Sequence, residues 1–149
     1  MRWGYLLTAA VASVGVFSAG AIAQEAKPAT AEQKSLTLEL NSVSSQANNS
    51  CRMTFVAHNG IEADLESAGF EVVLFDKKGL VNRMTVFDFG ALPNGKTLVK
   101  RFDLPETDCA DLSRVLVNGV ARCEGAGIDS KNCANAIATR NKTDLTFGS

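Results

Sequence analysis

Beyond residue 23 the chain contains no tryptophan and no tyrosine; Trp3 and Tyr5 are the only two. Those side chains combine a flat apolar face with a polar handle, so their absence argues against a stacking platform for sugars or bases. Charge of one sign is missing too. There are 16 acidic side chains against 15 basic ones, or 14 once Arg2 is set aside. This near balance leaves no electrostatic case for a nucleic-acid or anionic-membrane partner. Histidine occurs once, as His58. No C-x-x-C pair exists: Cys51, Cys109, Cys123 and Cys133 are separated by 57, 13 and 9 residues. That spacing lacks both the zinc-ligand pattern and the thiol redox motif. Nor does any stretch hold a long 3.6-residue apolar period, so crossover helices and a parallel sheet are not expected.

What is present begins with an export signal. Arg2 gives a short positive start, Tyr5 to Phe17 is apolar, and Ala21-Ile22-Ala23 is a small-x-small cleavage pattern before Gln24. The uncharged stretch from Tyr5 to Ala23 could also serve as an uncleaved anchor, but its second half is rich in Ala, Ser and Gly, which favours cleavage. The first cysteine is Cys51, so no lipid-anchor cysteine stands at the boundary. The expected organisation is a signal peptide over 1–23, a polar, Ala-rich leader over 24–34 broken by Pro28, and one domain over 35–149. The expected location is the periplasm, or secretion beyond it, with no stable membrane anchor after cleavage. An even number of cysteines in an oxidising compartment points to two disulfides.

From Ser35 onward the patterning is that of β-strands. LTLELN sets Leu36, Leu38 and Leu40 on one face. CRMTFVAH sets Cys51, Met53, Phe55 and Ala57 opposite Arg52, Thr54, Val56 and His58. NGIEADLES reads as a turn, and FEVVLF as a central strand apolar on both faces. DKKG is a hairpin turn into LVNRMTVFDF. LVKRFDL and SRVLVNGVARC are further strands. A short helix near Cys133 and a last strand at Leu145 to Phe147 complete the chain. About seven short strands with turn chemistry between them predict an all-β fold, an antiparallel β-sandwich.

GALPNGKT, residues 90–97, fits the nucleotide-binding pattern G-x-x-x-x-G-K-[ST]. A phosphate loop needs a helix after it, so that loop amides and helix N-terminus hold the phosphates. LVKRFDLP alternates like a strand and ends at Pro105. Pro93-Asn94-Gly95 explains itself as a turn. No nucleotide is expected as a ligand.

The segments CRMTFVAHNG, EVVLFDKKG, FDFGALPNGKT, KRFDLP and VLVNGVARC, over roughly residues 36–124, resemble a family of small exported alphaproteobacterial proteins of unknown function. Members are often labelled as carrying a Tat signal, although Met1-Arg2-Trp3 has no twin arginine. The resemblance implies an immunoglobulin-like sandwich, with LPNGKT and FDLP as the loop and strand that cross between sheets. It supplies no catalytic residues. In an immunoglobulin-like order Cys51 and Cys109 meet at one end, and Cys123 pairs with Cys133 at the other. Extended chain at about 3.3 Å per residue would hold Cys109 and Cys123 too far apart to bond. The alternative stays open: Val117-Asn118-Gly119-Val120 is also a hairpin signal, which would bring those two cysteines closer together.

Several residues could carry chemistry. His58, with Ser50 and Asp88 available, lacks a nucleophile-elbow motif and reads as a surface or rim side chain. Met53, His58 and Met84 are the available copper-ligand types, but Met53 and His58 have opposite parity on one strand. Asp88 and Asp103 are the carboxylates to weigh as a hydrolytic pair. Asn48-Asn49-Ser50 and Asn141-Lys142-Thr143 match the glycosylation triplet, read here as chance because the signal peptide has a bacterial look. Phe87 and Phe89 share one face of their strand, Met84 and Val86 the other: either one face is core and the other a partner-facing patch, or neighbouring loops cover both. Phe87 and Phe89 are the expected interface residues. The reading is a non-enzymatic exported binding or adaptor module held by two disulfides, with no cofactor or metal and a periplasmic or envelope protein as partner. A small cell-envelope hydrolase and a metal-handling periplasmic protein are the alternatives.

Overall fold

The computed structural model describes residues 34–149, so the expected signal peptide of 1–23 and all but the last residue of the expected leader lie outside the described residues. Among the described residues eight strands form two four-stranded sheets with a shared core, an all-β sandwich. The strands are β1 Leu36–Gln46, β2 Ser50–Asn59, β3 Leu65–Asp76, β4 Val81–Leu92, β5 Thr97–Pro105, β6 Leu112–Glu124, β7 Ile137–Asn141 and β8 Thr146–Gly148. A short helix, α1, spans Ser130–Ala136. One sheet has the order β5-β2-β1-β7, the other β4-β3-β6-β8. No helix among the described residues is long and apolar enough to cross a membrane.

Alternation sets the faces. Leu36, Leu38 and Leu40 of β1 are buried, as are Cys51, Met53, Phe55 and Ala57 of β2. β1 and β2 form a hairpin whose loop holds Asn48 at φ 64° and Asn49 at φ 53°, a left-handed conformation that asparagine tolerates. β3 is a central strand, flanked by β4 and β6, with Phe70, Val72 and Leu74 directed into the core. It begins at Leu65, inside the segment expected as turn. The DKKG turn forms as expected. Asp76 Oδ1 accepts from the amides of Lys78 and Leu80 at 2.8 and 2.9 Å, and Gly79 takes φ 78°.

β6 is continuous from Leu112 to Glu124, so Val117-Asn118-Gly119-Val120 is no hairpin. Cys51 pairs with Cys109 and Cys123 with Cys133. The expectation of a purely antiparallel sandwich needs correction. β7 pairs with β1, and β8 with β6, in parallel, so both sheets are mixed. The route of the chain is the reason. From the end of β6, α1 carries it across to the start of β1, where Ile137 lies beside Leu36. β7 then runs in the direction of β1, and the return strand β8 follows β6.

Between the sheets sits a phenylalanine cluster. The Phe55 ring meets those of Phe87, Phe89, Phe102 and Phe147 edge-on, at centroid distances of 5.5, 6.0, 6.0 and 5.6 Å. Phe87 stacks on Phe102 at 4.1 Å. Such pairs contribute about 0.5–1.5 kcal/mol each beyond their burial.

Thr37, Asn59 and Thr107 are the buried polar residues among those described, and Asn59 is the most enclosed. Asn59 is fully buried at the end of β2. Its Nδ2 donates to Ala63 O at 2.8 Å and Leu92 O at 2.7 Å, and its Oδ1 accepts from the Ile61 amide at 3.1 Å. Its backbone accepts from Gly95 N and donates to Lys96 O. A single residue thus ties the β2–β3 connection to the β4–β5 crossing.

Candidate functional site

The GALPNGKT segment ends β4, turns at Pro93–Lys96 and enters β5, a strand in the opposite sheet. Lys96 N donates to Pro93 O at 3.0 Å, and Gly95 at φ 70° supplies the left-handed corner that glycine tolerates. With a strand in the helix position, the loop amides are committed elsewhere: Lys96 N to Pro93 O, Gly95 N to Asn59 O and Asn94 N to Asp64 Oδ1.

The two candidate carboxylates lie on different sheets. Asp103 is on the outer face of β5, paired across the strands with Arg52: Arg52 Nε and Nη2 donate to its oxygens at 2.6 and 2.9 Å. Asp88 lies on the outer face of β4. It accepts from Gly90 N at 2.9 Å and pairs with Arg122 Nη2 at 2.7 Å. Arg122 reaches it by lying across Gly69, which stands between the two in the ladder. A Cβ at Gly69 would come within 3.3 Å of that guanidinium. Two carboxyls on opposite outer faces cannot flank one bond.

Both are held below the usual carboxylate range, Asp88 by the Gly90 N–H and then Arg122, Asp103 by the Arg52 hydrogen bonds. Each therefore stays ionised rather than poised to donate a proton. The sign of the linkage follows. A lowered folded-state pKa favours folding above the ordinary carboxylate range, and that contribution is lost as pH falls through the lowered value. Asp103→Asn should lower the melting temperature slightly at pH 7, and the gap to wild type should narrow at about pH 3. Solvent exposure and salt keep the effect small. A gap that is the same at both pH values would remove the ion pair as its cause.

His58 projects from the outer face of the β5-β2-β1-β7 sheet and hydrogen-bonds through Nδ1 with Thr97 Oγ1 at 2.9 Å. It borders a trough of about 740 Å³ whose lining includes Thr37, Glu39, Thr97 and Arg140. Met53 is buried inside the sandwich and Met84 is 57% exposed on the other sheet. The three candidate metal ligands are thus dispersed. Among the described residues no group of three His, Cys, Asp or Glu side chains is placed to hold a metal ion. The two glycosylation triplets serve turns: Asn49 takes part in the β1–β2 hairpin, and Asn141 Oδ1 accepts from Thr143 N and Oγ1.

Phe87 and Phe89 are not on the surface: they are 2% and 3% exposed. The sequence pairs them on one face correctly, but that face is the core side, closed by Phe55 and Phe102 of the opposite sheet. The other face of β4 is the apolar one that water sees. Met84 and Val86 are exposed there, and Leu80 and Val81 extend the row at the start of the strand. Beside Met84 in the same row lie buried Val73 of β3 and half-buried Leu116 of β6, so the exposed part of the row is on β4. This patch coincides with a sheet edge, because β4 is the outermost strand of its sheet.

The other edges are blunted in recognisable ways. β5 carries exposed Lys100 and Arg101 and ends at Pro105, while β7 has five residues and β8 three. β4 has 12 residues, and from Arg83 to Asp88 its ladder with β3 runs without a bulge. A long, apolar, regular edge offers both side chains and unpaired backbone groups to another strand. Comparison of this chain with protein families, characterised proteins and solved structures finds no match.

Proposed function

We propose that this chain is a non-enzymatic, exported binding or adaptor module that meets a protein partner in the periplasm or cell envelope. The observation that carries the reading is the exposed row Leu80, Val81, Met84 and Val86 along the β4 edge. Apolar side chains concentrated on one surface of a small protein commonly mark an interaction site. Two disulfides with no free cysteine among the described residues suit an oxidising compartment, in agreement with the export signal read from residues 1–23. An immunoglobulin-like arrangement is part of the proposal. It draws support from β2 and β1 facing β3 and β6 in separate sheets, and from β4 and β5 crossing between the sheets.

Cross-linking of the tagged full chain in intact cells, followed by mass spectrometry, tests this. A defined envelope protein should be recovered with wild type and lost with Met84→Asp or Val86→Asp. Both variants should keep their disulfides and melt within a few degrees of wild type, since surface changes away from caps and networks cost about 0.5 kcal/mol or less. An empty capture, or one indifferent to both substitutions, would overturn the reading.

A further inference from the structure

We propose that the β4 edge also takes a second copy of this chain, joined antiparallel about a two-fold axis at Thr85. This rests on the same surface as the binding-module reading and names an occupant for it. The regular stretch of β4 lies between two irregularities, the register shift near Asn82 and the corner at Gly90 with φ 73°. Thr85 sits within this stretch, opposite Val72 of β3. An antiparallel pair centred on Thr85 sets Met84 of one copy against Val86 of the other, and the reverse. Four exposed apolar side chains then cover one another on a single face, as cross-strand pairs do. The result is a continuous eight-stranded sheet, closed by a self-complementary interface.

Charge favours the same orientation. The hairpin that leads into β4 carries exposed Lys77 and Lys78. The far end of β4 lies beside exposed Asp64 and Glu66: Leu92 pairs with Leu65, and Asn94 N donates to Asp64 Oδ1. Antiparallel pairing through Thr85 brings Lys77 and Lys78 of each copy toward Asp64 and Glu66 of the other, while Asp76 is turned into its own hairpin by the Lys78 and Leu80 amides. A parallel arrangement would set like charges together, which costs free energy at an interface.

Sedimentation of the purified full chain over a concentration series is the test. The expected result is a dimer whose dissociation constant rises about tenfold or more with Met84→Lys or Val86→Lys, with the melting temperature unchanged when it is read on the dilute monomer. Lys78→Glu and Glu66→Lys should each weaken the dimer, and mixing these two variants should restore it, because each then meets its opposite. A chain that stays monomeric to about 100 µM overturns the proposal. So does a dimer that none of these changes affects. The two readings separate cleanly. A monomer that captures another protein through Met84 ends the dimer and keeps the adaptor. A Met84-dependent dimer that captures nothing else keeps the dimer and ends the adaptor.

Discussion

Asn59→Ala is expected to destabilise the protein by about 3 kcal/mol or more, a fall of about 10 °C or more in melting temperature. The variant loses three side-chain hydrogen bonds, to Ala63 O, Leu92 O and Ile61 N. Each is worth about 1 kcal/mol net, and a buried partner left unpaired costs about 1–3 kcal/mol more. Leu92 is itself fully buried, so water has poor access to its carbonyl neighbourhood. Asn59→Asp should be worse than alanine at pH 7, although it is nearly isosteric. It replaces the amide that donates to two carbonyls with a group that can only accept, in a buried site. Protonation would return one donor, so the folded state raises the pKa of the new carboxyl. The folded protein then binds more protons than the unfolded chain, and the penalty shrinks as pH falls. Denaturant melts at pH 7 and pH 4 check both statements. A loss below about 1 kcal/mol for alanine, against the typical range for a broken buried network, would mean that the loops close without this residue.

Asn59 also shows what the sequence makes legible. It occupies the same parity as Cys51, Met53, Phe55 and Ala57, so alternation alone assigns it to the core. A polar side chain at an apolar parity, followed by Gly60, is the signal by which it could have been found. The leucines of β1, the DKKG turn and the short helix at Cys133 are legible for a related reason: each is fixed by residues close in sequence. Phe87 and Phe89 mark where local reasoning ends. Their strand is apolar on both faces, and which face is buried depends on Phe55 and Phe102, which come from the other sheet. β7 is a similar case. Ile137–Asn141 has little alternation of its own and is a strand because β1 has a free edge for it. The apolar edge was within reach of the sequence, through Met84 and Val86 on the face opposite the phenylalanines, but only the fold says that this face is bare.

The two disulfides should differ in worth, and in the order set by the chain they close. Replacing both Cys51 and Cys109 with alanine is expected to cost about 4 kcal/mol, and replacing Cys123 and Cys133 about 3 kcal/mol, on the loop-entropy argument. The first pair bridges a sequence separation of 58 and joins β2 of one sheet to the turn before β6 of the other. The second bridges a separation of 10 and ties the end of β6 to α1. Loss of the first should therefore lower the stability of the whole sandwich, read as faster hydrogen exchange in the core strands β2 and β3. Loss of the second should act first on α1 and on β7, whose five pairings with β1 follow directly from the helix. Local opening there would leave the β2–β1 hairpin and the β3–β6 ladder intact, so exchange in those strands should change least. Equal costs for the two pairs, or a larger cost for the short one, would show that packing of the buried Cys133 side chain against the core, rather than loop closure, sets the value of the bond.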